Sequence, residues 1–223
     1  MVTDHKELNK QQTTLRQLLT SGEEFNETIM LFLKQHAQLH SAVMAGMGLW
    51  SYEDELLDDL PPNLAKRVPA KDDHSIAWVI WHIARIEDVV MNMLVAGEEQ
   101  VFIRDGWQSR LAISFQDTGN AMSPADVVKL SAEIDFQYLR DYRMAVGHQT
   151  RLIVQGLARH DLREKVSAIR LEKVKEVGAV VPQAQVVIDY WSKRTMAGLL
   201  LMPATRHNLV HLNEVAQLKN RLA

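Results

Sequence analysis

The stretch between Ser75 and Gly97 constrains the fold more than any other. Ile76, Val79, Ile80, Ile83, Ile86, Val90, Met93 and Leu94 leave few polar positions in it. A helix apolar on most sides cannot lie on a surface; other helices must enclose it. Asp73 or Ser75 can cap its start, and Gly97 ends it. The spacing therefore predicts a central bundle helix running to about residue 96.

The rest of the chain supplies helices to surround it. Phe25, Ile29, Phe32, Leu33, Val43 and Met44 repeat near every 3.6 residues, which predicts a helix from about Gly22 to Met47. His36 and His40 fall on the same stripe. A shorter helix through Leu8, Leu15, Leu18 and Leu19 precedes it. Gly46, Gly48, Pro61, Pro62 and Pro69 break up residues 48–72. Ser123-Pro124-Ala125-Asp126 combines a serine cap, a proline in the first turn and an acid three residues on. It opens a helix carrying Val127, Val128, Leu130, Ile134, Phe136, Leu139 and Met144, with a bend at Gly147. Asp161-Leu162-Arg163-Glu164 opens another, with Val166, Ile169, Val174 and Val177 inward and Gly178 at its end. The last region carries Val186, Val187, Trp191, Leu199 and Leu200, and Pro203 kinks the final helix or sits in its first turn. Residues 98–122 read as a long loop, of the length that is often functional. Trp107 within it is either a cover for a pocket mouth or a buried anchor. No segment alternates as a strand does.

Composition narrows the function classes. With 223 residues, 47% of them hydrophobic, one domain over 1–223 is expected, residues 1–21 forming an N-terminal extension or short helix. Net charge is −3 and no basic stripe occurs, which argues against a nucleic-acid partner. The absence of cysteine excludes a disulfide framework, a thiol nucleophile and thiolate ligands. The polar start Met1-Val2-Thr3-Asp4-His5-Lys6-Glu7 lacks the apolar core of a signal peptide, and no run reaches membrane-spanning length. A cytoplasmic protein acting on a small molecule is expected.

Histidine spacing carries the chemistry. His207 and His211 are four residues apart, so both rings leave one helix face and can converge on a divalent ion. His82 lies 125 residues before His207, inside the central apolar helix. A buried neutral histidine needs partners for both ring nitrogens, and a metal is one good answer. His36 and His40 share the four-residue spacing; they offer a fourth ligand or a substrate contact, or are hydrogen-bonded without metal. Glu214, three residues after His211, can orient a ligand, act as a base or sit solvated near the helix end. Arg85 can bind a cosubstrate carboxylate or pair with Glu87, Asp88 or another helix.

Trp81-His82-Ile83-Ala84-Arg85-Ile86-Glu87-Asp88, followed by Ala204-Thr205-Arg206-His207-Asn208-Leu209-Val210-His211-Leu212-Asn213-Glu214, resembles the DinB-like (YfiT-like) superfamily of metal-dependent enzymes. The resemblance runs from about residue 22 to 220. It implies an all-α, up-up-down-down four-helix bundle with additional short helices, and His82, His207 and His211 as metal ligands. It implies zinc first and nickel second, and for some members a low-molecular-weight thiol as cosubstrate. The expected function is a metal-dependent thiol S-transferase acting on a small electrophile. The alternative is a non-catalytic, metal-stabilised bundle that binds a ligand or partner. A homodimer is expected, because family members often pair through bundle helices and this chain has apolar residues to spare.

Overall fold

The computed structural model describes residues 5–70 and 74–222; Asp73, one of the two expected caps, lies outside them. Ser75 does cap the central helix. Its side chain accepts the Trp78 backbone N–H at 2.9 Å and meets the Ser131 hydroxyl at 2.7 Å. From there residues 76–96 wind without interruption, α-helical over Ile76–Asp88 and π-helical over Val89–Ala96. Gly97, in the left-handed region at φ 78°, ends them. Every residue of Ile76–Asp88 is buried. At roughly 1.5–3 kcal/mol for each enclosed aliphatic side chain, this helix gains more from being surrounded than from its intrinsic helix propensity.

The described residues contain no strand, only one isolated bridge between Lys165 and Thr195. The protein is all-α. Two long helices, Phe136–Gly156 and residues 196–222, pack directly on the central one. Phe25–Gln38 packs on both of these, and His5–Ser21 packs on Phe25–Gln38 and on Met196–Leu201. The core follows the central helix in two parts. Ile76 to Ala84 pack with Phe102, Trp107, Tyr142 and Leu212; Ile86 to Val95 pack with Phe32, Val174, Trp191 and Leu200. Among the described residues no helix is long and apolar enough to cross a membrane.

Several boundaries differ from the periodicity. Gly22, at φ 64°, ends the first helix rather than opening the second: its N–H bonds the Leu18 carbonyl at 2.9 Å. The second helix stops at Gln38, and a separate turn, Ala42–Ala45, follows. That break turns Val43 outward, 80% exposed, against its expected place in the core. The helix opened by Ser123 has its full capping box but ends at Glu133. Ile134 is extended, and Asp135 caps a new helix by accepting from the N–H groups of Gln137 and Tyr138. Gly147 does not bend that helix. It makes room: a Cβ there would lie 2.8 Å from Cδ2 of His40. Asp161–Arg163 is a single 3₁₀ turn, with the helix itself at Ala168–Glu176; Ile169 and Val177 are exposed. Trp107 is a buried anchor. The long loop around it contains two short helical turns, Val101–Arg104 and Trp107–Arg110.

Pro203 sits in a π-helical turn, Met202–Arg206, inside the last helix. A proline there brings no N–H and crowds the preceding turn, and a π turn relieves this by holding one extra residue. The Thr205 hydroxyl meets the Leu201 carbonyl at 2.8 Å, and the Asn208 amide meets that of Ala204 at 3.1 Å. Immediately after this turn, His207–Leu222 resumes as α-helix.

Candidate metal centre

His82 is set in place from two sides. Along its own helix and the residue just before the cap, the rings of His74, Trp78 and His82, each four residues from the next, stack at 3.8 and 4.9 Å with their planes within 11°. Across from it, the carbonyl of Thr118 takes the hydrogen bond of His82 Nδ1 at 2.5 Å. A carbonyl only accepts, so Nδ1 carries the proton and Nε2 keeps its lone pair. The Thr118 segment comes this close because Gly119 follows it. A Cβ at Gly119 would lie 2.6 Å from the Trp81 ring, and φ there is 79°.

The second histidine pair meets it from the last helix. Ring centroids of His82 lie 5.2 Å from His207 and 5.1 Å from His211, and those two are 4.4 Å apart. One nitrogen from each of the three falls within 4.8 Å of the others. His211 Nδ1 hydrogen-bonds Glu214 at 2.7 Å, and the other oxygen of Glu214 meets His74 Nδ1 at 2.9 Å. Glu214 thus ties His211 to His74 outside the trio, and like Thr118 it leaves an inward nitrogen free. This is the arrangement by which outer partners fix metal-binding imidazoles. His207 Nδ1 is buried without a partner.

Electrostatics keep the donors in the form a cation needs. Burial, then the nearby His211, pushes the His82 pKa down to about 3. Burial, then His82 and His211, holds His207 well below its ordinary value. Both rings are neutral at pH 7. For Glu214, burial pushes upward, but hydrogen bonds from His211 and His74 outweigh it and bring the carboxyl to about 2. Three imidazoles, two of them held neutral by burial, backed by a carbonyl and an ionised carboxylate, fit a divalent ion.

Glu214 therefore stands beside the trio, as a partner of His211. Arg85 takes the other of its two expected roles. It is fully buried; its terminal nitrogens donate to Asp88, Tyr142, Gln100 and the Gln116 carbonyl, and the guanidinium lies 4.0 Å over the Phe102 ring. No terminal N–H remains for a cosubstrate carboxylate. His36 and His40 do not join the trio. They face Glu87, at 2.8 and 3.1 Å.

The family model of the DinB superfamily matches residues 49–215. The chain belongs to the DinB superfamily. The match covers all three histidines of the trio and Glu214, but begins after His36 and His40. No curated protein matches the chain. Two participants in this DinB-superfamily site were not singled out from the sequence: His74 and Thr118. His74 had a signal, its four-residue spacing from Trp78 and His82. Thr118 had none, because it acts through its backbone carbonyl.

Proposed function

We propose that this DinB-superfamily chain is a metal-dependent thiol S-transferase, in which His82, His207 and His211 hold a divalent ion beside a pocket for a small electrophile. One observation carries the reading: His207 belongs both to the trio and to the wall of a cavity of about 280 Å³. The other lining residues are Ile86, Asn120, Val186, Val187, Tyr190, Trp191, Met202 and Pro203. That lining has no carboxylate, lysine or arginine. It suits a small, mainly apolar molecule oriented by Asn120 and Tyr190.

His82, His207 and His211 would hold the ion, zinc first and nickel second, and its positive charge would acidify a bound thiol or water. Thr118 and Glu214 hold the His82 and His211 rings in the tautomer that turns a lone pair inward. The apolar walls exclude water from the electrophile. In the transfer the thiol loses its proton, sulfur bonds to the electrophilic carbon, and the leaving group departs with the bonding pair.

The test loads the protein with zinc or nickel, counts metal, and follows transfer of a low-molecular-weight thiol to a chlorinated nitroaromatic. The expected result is turnover that needs metal and is lost in His207→Ala. One ion per trio with no turnover across a panel of thiols and electrophiles would favour a metal-stabilised binding module instead. A trio that takes no ion sinks both readings.

A further inference from the structure

Behind the trio lies a second set of metal-ligating side chains. His36, His40 and Glu87 are all fully buried, and one donor atom from each lies within 4.8 Å of the others. His36 Nε2 is 2.8 Å from one oxygen of Glu87, and His40 Nε2 is 3.1 Å from the other. These separations are close to the edges of a coordination shell with bonds of about 2.1 Å, roughly 3.0–3.4 Å.

The hydrogen bonding of His40 is the informative part. Its Nδ1 lies 3.0 Å from the carbonyl of His36. That carbonyl can only accept, so Nδ1 carries the proton. In a neutral ring Nε2 then has a lone pair, and that lone pair sits beside a carboxylate oxygen. Two electron-rich atoms at this distance need a positive species between them. A second proton on His40 is one candidate. Against it, Nε2 makes no well-aligned hydrogen bond to Glu87 and is left buried without a partner. The ring is also stacked 4.0 Å from that of His36, with Arg143 close by. His36 Nδ1, Arg143 Nη1 and Asn208 Oδ1 are further buried polar atoms without partners in the same region. Native interiors leave few such atoms, and their clustering points to something bound among them.

We propose that His36, His40 and Glu87 form a second divalent-cation site, separate from the histidine trio. Two imidazoles and a carboxylate suit zinc, cobalt(II) or iron(II). The Arg143 guanidinium, 3.9 Å from Glu87, does not fill the site. It is held by Glu53 and by the Leu39 carbonyl. The Asn208 amide donates to Glu87 at 2.7 Å and fixes the carboxylate from the last helix, one residue from His207. The two centres would therefore be neighbours, joined by the turn of helix that carries His207 and Asn208. His36 and His40 precede the matched family span, so this second centre uses residues outside it.

Because the cluster is closed to solvent, the ion is best supplied during refolding of the full chain. Cobalt(II) serves as probe, read by metal analysis and by its visible absorption. The parent should take two ions per chain. Glu87→Gln, close in shape to the parent, should take one, and His36→Gln should repeat the result if the first variant folds poorly. A His207→Ala/His211→Ala double variant should keep the second ion. Adding Glu87→Gln to that double variant should leave none, with helicity monitored by circular dichroism throughout. The proposal falls if the folded double variant binds no cobalt, or if Glu87→Gln and His36→Gln both retain two ions. It survives failure of the trio, since the double variant tests the second centre alone.

Discussion

At the scale of single residues, the site depends on groups too small to clash. Gly119→Ala should be destabilised by about 2 kcal/mol or more. It combines a positive φ with a Cβ 2.6 Å from Trp81. Because the shift would move the Thr118 carbonyl, metal affinity should fall with stability, which calorimetric metal titration alongside urea unfolding would reveal. Gly147→Ala sets two effects against each other. Alanine gains about 1 kcal/mol of helix propensity. Overpacking against His40 typically costs about 1–3 kcal/mol. His40 is held by the His36 carbonyl and cannot retreat as a free side chain would; net destabilisation in urea unfolding is expected. Glu214→Gln should keep the fold but lower metal affinity by roughly 10–100-fold, the usual cost of removing an outer partner. An unchanged dissociation constant would show that Glu214 does not orient His211. His207 and His211 were legible because spacing on a helix translates directly into direction; His82 stood out by its place inside the apolar helix and by the family resemblance. The Thr118 carbonyl was not, since every residue has one.

At the scale of elements, the legible signals were those with local chemistry. Ser75, Ser123 and Pro124 marked helix starts, and Gly97 and Gly178 marked ends, because caps act within one turn. The breaks at 39–41 and 134–135 were illegible: apolar periodicity continues across them, and tertiary packing decides. The π segments were hidden for the same reason. The capping box gives a pH-dependent prediction. Asp126 is partly exposed, and hydrogen bonds from Ser123 hold its pKa below the ordinary value. A depressed carboxyl binds fewer protons folded than unfolded, so its stabilisation is present above about pH 4 and is lost as pH falls through the lowered value. Asp126→Asn should therefore unfold at lower urea than the parent at pH 6. The gap should close as pH falls below about 4, through the lowered value; a gap that stays constant would mean that the charge of Asp126 is irrelevant.

At the scale of the whole molecule, the enclosed central helix was legible from its apolar spacing, and the all-α class from helical periodicity without strand alternation. What surrounds it was less so, because Val43, Ile169 and Val186 are apolar yet more than half exposed. A homodimer is the proposed assembly. Sedimentation should give twice the 25.4 kDa chain mass at micromolar concentration, and a single monomeric species would end that proposal. An ion held by residues 82, 207 and 211 would also bridge distant parts of the chain. At one hundred times its dissociation constant it should add about 2.7 kcal/mol, read as a chelator-induced drop in thermal midpoint. The same separation sets an order of events in time. Until residues 196–222 have docked on the central helix, His82 has no companions, so no trio exists to capture a cation. In stopped-flow refolding, the cobalt signal of this centre should keep pace with burial of that last helix or lag behind it. A cobalt signal that runs ahead of docking would mean that the ion recruits the helix, making metal capture an early step of folding.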